Sequence, residues 1–196
     1  EEMGGVPAIR EVQFSLVSNR GCFGGCSFCA ITYHQGREVR SKSKEVIMEE
    51  AKALIRHPDF KGYIHDVGGP TADFRQPACR KQLESGVCRN KDCMTPQICS
   101  QMEVDHTEYL DILRSLRNLE GVKKVFIRSG IRYDYVLADS SDEFLWELCR
   151  HHVSGTLKIA PGHVSNRVLR LMRKPEKEVF EEFSRRYEEV NKRLGK

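Results

Sequence analysis

Hydrophobic positions along the chain alternate between short runs of period two and longer stretches of helical spacing. Residues 11–18 carry Val12, Phe14 and Leu16 at alternate positions, with Val17 breaking the alternation, and predict a strand. After Ser43, a residue suited to an N-cap, Ile47, Ala51, Leu54 and Ile55 mark one face of a helix that stops before Pro58. A short strand over 63–67 runs into Gly68 and Gly69. Tyr109, Ile112, Leu113 and Leu116 predict the next helix, capped by Asp105 and ended by Gly121, and residues 122–129 a third strand. Ser140 with Glu143 reads as a capping box ahead of Phe144, Leu145, Leu148 and Cys149, and a fourth strand follows over 156–160. Val168, Leu169 and Met172 suit a short helix up to Pro175. Phe180, Phe183, Tyr187, Val190 and Leu194 suit a longer one.

Strands that alternate with helices of this length pair in parallel through right-handed crossovers. The pattern therefore predicts an α/β protein with four βα units, arranged as an open, partial barrel of parallel strands. Reactive groups in such sheets gather at the carboxyl ends of the strands. Residues 70–104 break the rhythm. They put some thirty-five positions between the second strand and its helix, where about 2 to 6 is usual.

Composition narrows the class without naming a partner. The chain has 196 residues, 39% of them hydrophobic, enough for one domain with a buried core. The net charge is +4, and the ten basic and six acidic side chains from Ser165 onward carry the same surplus, so the rest of the chain is balanced. Nucleic-acid binders of this size show a larger, patterned surplus, which argues against nucleic acid as a partner. Neither a membrane span nor a signal peptide is legible, and a cytoplasmic address is expected. Thiols stay reduced there, so eight cysteines suggest metal or redox chemistry before disulfides. The first residue is not Met and the last ones are a charged helical pattern, which reads as a core fragment lacking N- and C-terminal flanking domains.

The candidate chemistry begins at GCFGGCSFC, residues 21–29, directly after the first strand. Cys22, Cys26 and Cys29 follow a Cys-x3-Cys-x2-Cys spacing that confines three thiols to one turn, and Gly24 and Gly25 let backbone N–H groups face sulfur. A structural zinc ion takes four protein ligands. A 4Fe–4S cluster held by three cysteines leaves one iron open to a substrate or cofactor. A Cys3His zinc site with His34 as the fourth ligand is the competing arrangement.

With Phe28 directly before the third cysteine, this stretch resembles the signature of the radical S-adenosylmethionine superfamily. DVGGPTADF, IRSGIRYD and LKIAPGHV extend the resemblance over nearly the whole chain, to the YgiQ-type group of that superfamily. The resemblance implies a partial barrel and a 4Fe–4S cluster on Cys22, Cys26 and Cys29. It also implies S-adenosylmethionine chelated to the open iron, and a one-electron reductant such as flavodoxin or ferredoxin. The reaction it implies is reductive release of a 5'-deoxyadenosyl radical that abstracts hydrogen from a substrate the sequence does not identify. By the same resemblance Phe28 neighbours adenine, and the backbone of Gly68 and Gly69 receives the methionine amino group. Two departures stand out. Pro70 occupies the place of the acid that follows the paired glycines, and Gly162 stands where related proteins often carry Glu.

Cys79, Cys88, Cys93 and Cys99 form a second set within residues 70–104. Four thiols can close a tetrahedral site, and a metal would order a segment poor in large apolar residues. The expectation is that this insertion folds around its own zinc ion or second iron–sulfur cluster, independently of the first loop. Arg128 and Ser129, with Arg132, end the third strand on the reactive face and suit a carboxylate or ribose, or else surface ion pairs. Lys158 and His163 are similar. Cys149 reads as a core residue, and His151 and His152 as capping or surface polarity. No catalytic residue is assigned. The competing class is a non-catalytic zinc module that contacts RNA, and a methyl or methylthio transferase of the same superfamily is a third reading.

Overall fold

The computed structural model describes residues 4–196. Its frame is a set of parallel pairings in chain order. Strand β1 (Ser15–Val17) pairs in parallel with β5 (Asp66–Gly68), and β4 (Tyr63–Ile64) with β6 (Lys124–Val125). The segment 63–68 thus lies between the first and third strand regions. A further parallel bridge joins Ile131 to Ile159. Between these strands stand the helices α3 (Lys44–Ile55), α5 (Thr107–Arg117), α6 (Tyr133–Ala138), α7 (Glu143–Glu147), α8 (Asn166–Met172) and α9 (Lys177–Arg193). The result is the predicted α/β order with parallel strands.

Helical spacing translated directly into burial. On α5, Tyr109, Leu110, Ile112, Leu113 and Leu116 are buried and face Ile47 and Ala51 of α3 and Phe144 and Leu145 of α7. Each such side chain contributes about 1.5–3 kcal/mol relative to exposure. Ser43 caps α3 as predicted, its Oγ accepting from Val46 N at 3.4 Å. Asp105 Oδ1 accepts from Thr107 N at 2.8 Å at the head of α5.

Several boundaries differ from expectation. Residues 11–14 do not extend the first strand; Ile9–Val12 form the helical turn α1, because Val12 faces solvent at 58% exposure and only Phe14 and Leu16 turn inward. Residues 156–160 pair only through Ile159, and the 122–129 segment pairs as a ladder only at Lys124–Val125. The capping box at Ser140 does not form. Ser141 Oγ accepts from Glu143 N at 3.1 Å instead, and the Glu143 carboxylate is drawn away to Arg114 at 2.7 Å. Helix α7 then widens into a π-helical turn, Leu148–His152. There Cys149 is buried, as expected, and burial pushes its thiol up to about 11. His152 is no surface residue: it is fully buried, with Nδ1 donating to the Val125 carbonyl at 2.8 Å.

Residues between β5 and α5 hold one short helix, α4 (Arg80–Ser85). The expected independence of this segment from the first loop is not what the structure shows. Phe74 stacks on Phe23 at a centroid distance of 3.8 Å, and with Val39, Ala78, Met94 and Tyr135 the two rings make a second apolar cluster. Arg37 donates to the carbonyls of Cys88 at 2.9 Å and Lys91 at 2.7 Å. Residues 71–75 are all buried, and Arg75 donates to the Ser18 and Lys42 carbonyls at 2.6 and 2.7 Å. The segment is fastened by its first few residues to the same strand ends that carry the cysteine loop.

Candidate functional site

The three-cysteine loop leaves β2 (Asn19–Arg20) and returns through β3 (Arg40–Ser41), which pairs antiparallel with it; between them lies only the short helix α2 (Ile31–Gln35). This ribbon holds both ends of the loop at the carboxyl end of β1. Cys22, Cys26 and Cys29 all line one cavity of about 190 Å³. Its other walls are Phe28 and Ile31 from the loop, Pro70 and Thr71 beyond β5, Gly130 to Tyr133 beyond the third strand, Ala160, and Lys174. Three chain segments therefore converge on the thiols at the carboxyl ends of their strand regions, and Lys174 joins them from the turn after α8.

Charge at this cavity is positive and fixed. Burial weakens the guanidinium of Arg132, but Asp134 more than offsets that, its Oδ1 accepting from Nε at 2.6 Å and its Oδ2 from Nη2 at 3.1 Å. Arg132 Nη1 points at Cys26 Sγ, 3.5 Å away. Burial pushes the Cys22 thiol up, while Thr71 Oγ1 at 3.4 Å and the Gly24 amide at 3.4 Å favour its thiolate. Lys174 is lowered by burial and donates to the Ala160 carbonyl at 2.7 Å; its ammonium also lies 5.9 Å from the Phe28 ring centre. Tyr133 lines the cavity while its ring packs on Phe180 and Phe183; its hydroxyl is buried without a partner among the described residues, and burial raises it to about 12.

A buried relay backs the wall. Asp73 Oδ1 accepts from Arg132 N at 2.9 Å, and His106 lies between Asp73, at 3.8 Å, and Asp139. Burial raises Asp73. Burial opposes charge on His106 as well, but its two carboxylate partners prevail and raise it. His106 stacks on Phe144 at 4.2 Å, which joins the relay to the main core.

The predicted residues are thus divided. Cys22, Cys26, Cys29 and Phe28 meet at the cavity. Gly68 and Gly69 stand beside it rather than on its wall: a Cβ on Gly69 would lie 2.4 Å from Asn19 Oδ1, so glycine there permits close approach of two strand ends. Arg128 and Ser129 are drawn to Asp66, whose Oδ1 accepts from both amides at 2.7 and 2.9 Å; the Arg128 guanidinium reaches Glu11 at 3.3 Å. His34 is exposed and off the cavity. Gly162 has φ +94°, a conformation that a glutamate would adopt only with strain. Sequence reasoning missed Lys174 and the Asp73–His106 relay. Lys174 follows a left-handed Arg173 that ends α8 (φ 54°), and nothing in the local pattern marks it.

Cys79, Cys88, Cys93 and Cys99 converge separately, on a cavity of about 20 Å³ that they line with Ala78, Gln82, Lys91, Asp92 and Met102. All eight cysteines are free. Among the described residues, no three Cys, His, Asp or Glu side chains are already drawn in to metal-binding geometry.

A cysteine triplet opening on a cationic cavity at the carboxyl ends of parallel strands defines a class, and comparison with known proteins agrees with it. The family model described as Radical SAM superfamily matches residues 16–193, and the chain belongs to that superfamily. Enzymes of this family generally use a 4Fe–4S cluster and S-adenosylmethionine, and require a one-electron reductant. All 196 residues align at 60% identity with a UPF0313 protein of Clostridium perfringens (strain SM101 / Type A), covering 30% of that protein. They align at 54% identity with a UPF0313 protein of Clostridium botulinum (strain 657 / Type Ba4), covering 31% of it. The chain spans about 30% of the length of the curated relatives it matches. These relatives accord with the YgiQ-type resemblance. No helix among the described residues is long and apolar enough to cross a membrane.

Proposed function

We propose that this chain is the catalytic core of a radical S-adenosylmethionine enzyme, with a 4Fe–4S cluster on Cys22, Cys26 and Cys29 and S-adenosylmethionine in the cavity beside them. The observation that carries the reading is the convergence of all three thiols on one cavity that also presents Arg132 and Lys174. Three thiols suit a cluster with one iron open, and the cationic wall suits the negative charge of thiolates. When bound, the cluster supplies the electron that cleaves the sulfonium and frees a 5'-deoxyadenosyl radical for hydrogen abstraction. Arg132, immobilised by Asp134, offsets charge at Cys26. Lys174, tethered to Ala160, offers an ammonium to the cofactor carboxylate. The 61%-exposed Phe28 ring presents a flat apolar face for adenine. Of the three residues for which an anion-binding role is expected, Arg132 keeps it in this reading and Lys174 joins it, because Asp66 and Glu11 already hold Arg128 and Ser129.

Anaerobic reconstitution tests it. About four irons and four sulfides per chain are expected at this site, lost on Cys26→Ala, with reductant-dependent formation of 5'-deoxyadenosine from S-adenosylmethionine. Uptake of zinc at this loop with no iron uptake would instead favour the RNA-contacting zinc module and overturn the enzyme reading. The hydrogen donor is chosen by the structure around the radical, not by the step that generates it.

A further inference from the structure

The second cysteine set differs from the first in the room it leaves. Its four residues come from three separate turns: Cys79 precedes α4, Cys88 follows it, and Cys93 and Cys99 close a loop in which the Cys99 amide donates to the Cys93 carbonyl at 2.9 Å. All four line a single cavity of about 20 Å³, room for roughly one water-sized sphere. One ion fits such a space. Four thiols would fill every position of a tetrahedral ion and leave none open. Donors are already aimed at the sulfurs: Gln82 Nε2 lies 3.5 Å from Cys93 Sγ and Lys81 Nζ 3.5 Å from Cys88 Sγ. Gln82 is buried and held by its Oε1, which accepts from Ala78 N at 2.9 Å. Hydrogen bonds of this kind orient sulfur ligands and temper their charge. Four thiolates around a divalent ion carry a net charge of two minus, and Lys81 and Lys91 stand beside it.

We infer that Cys79, Cys88, Cys93 and Cys99 bind a single divalent metal ion of the zinc class, and that this ion holds Asp92 beneath the three-cysteine loop. Four sulfurs in tetrahedral array select zinc among common divalent ions. Residues 79–103 need such a tie, since Met94 is the one buried large apolar side chain there. Asp92 precedes Cys93, so its position follows that of the ligand. Its carboxylate meets Arg37 at 3.5 Å and Arg173 at 3.1 Å, and lies 3.4 Å from where a Cβ on Gly25 would sit. The ion thereby braces the cysteine loop from its outer side. It has no place among the groups that touch the cofactor.

The inference stands apart from the cluster reading, and the test separates them. The intact protein is isolated anaerobically, and zinc and iron per chain are measured for the wild type, for a variant with Cys79, Cys88, Cys93 and Cys99 all replaced by Ser, and for one with Cys22, Cys26 and Cys29 replaced by Ser. One zinc per chain is expected in the wild type, lost in the first variant and retained in the second, which loses its iron. Zinc unchanged in the first variant, or iron retained in the second, overturns the inference. Should the first variant fold poorly, X-ray absorption at the zinc edge of the wild type decides: four sulfur neighbours at about 2.3 Å are expected, and nitrogen or oxygen neighbours, or no zinc, refute it. Failure of the cluster reading looks different, as a wild type that holds zinc at the insertion and takes up no iron.

Discussion

Two cysteine-bearing loops lie side by side in this protein, and they teach opposite lessons about what a thiol set is for. The loop of Cys22, Cys26 and Cys29 hangs from strand ends and opens on about 190 Å³ of space with two cations on its wall. The loop of Cys79, Cys88, Cys93 and Cys99 has almost no regular structure beyond α4 and leaves about 20 Å³ between its thiols. Rigid framing with spare room beside three thiols is what a reactive centre needs; four thiols around room for one ion is what a structural tie needs. The count of thiols alone, three against four, points the same way, but the size of the space each set leaves separates the roles more sharply.

The comparison breaks first at the clamp the two loops share. Phe74 belongs to the second loop's root and Phe23 to the first loop, and both are fully buried. Phe74→Ala is expected to cost about 3–5 kcal/mol, read as a fall in the urea midpoint, and to make both loops sensitive to limited proteolysis. Cleavage confined to residues 79–103, with the first loop intact, would show that the stacked pair does not join them.

A smaller effect sharpens the contrast from the other side. A Cβ on Gly24 would stand 2.6 Å from Arg132 Nη1 and 3.3 Å from Cys22 Sγ. Gly24→Ala should therefore push Arg132 off Cys26 at a cost of about 1–3 kcal/mol. Iron retention is expected to fall while zinc at the second site is unchanged. Loss of both metals together would mean that the loops respond as one unit.

The smallest effect concerns the relay behind the first loop. His106 is raised by Asp73 and Asp139 above its ordinary value near 6.5. Its charged form therefore stabilises the fold fully below pH 6.5, and that stabilisation is lost as pH rises through the folded-state value. Asp73, raised by burial, acts in the same direction at lower pH. Urea midpoints should fall on the alkaline side of pH 6.5, the unfolding free energy by no more than about 1.4 kcal/mol per pH unit for a single proton. His106→Gln should flatten that slope. A midpoint that climbs with pH over the same range would refute the assignment.

Much of this was legible in the residues themselves. The period-two runs at Phe14 and Leu16 and the helical runs at Ile47 and at Tyr109 to Leu116 declared an α/β order, because side-chain direction repeats with each backbone geometry and needs no partner to be read. The spacing of Cys22, Cys26 and Cys29 declared one thiol cluster, since eight residues of chain cannot carry those sulfurs far apart. What lay beyond the sequence were the choices among distant partners. Arg128 and Arg132 are equivalent by position, four residues apart at the same strand end. Only the fold puts Asp66 and Glu11 within reach of the first and leaves the second, braced by Asp134, facing Cys26. His152 looked like surface polarity until the Val125 carbonyl came to it from twenty-seven residues away, and Lys174 became part of the site through the turn after α8. Local periodicity decides which residues turn inward. Which buried donor meets which acceptor, and which remains free to meet a ligand, is set by contacts across the chain that only the tertiary structure brings together.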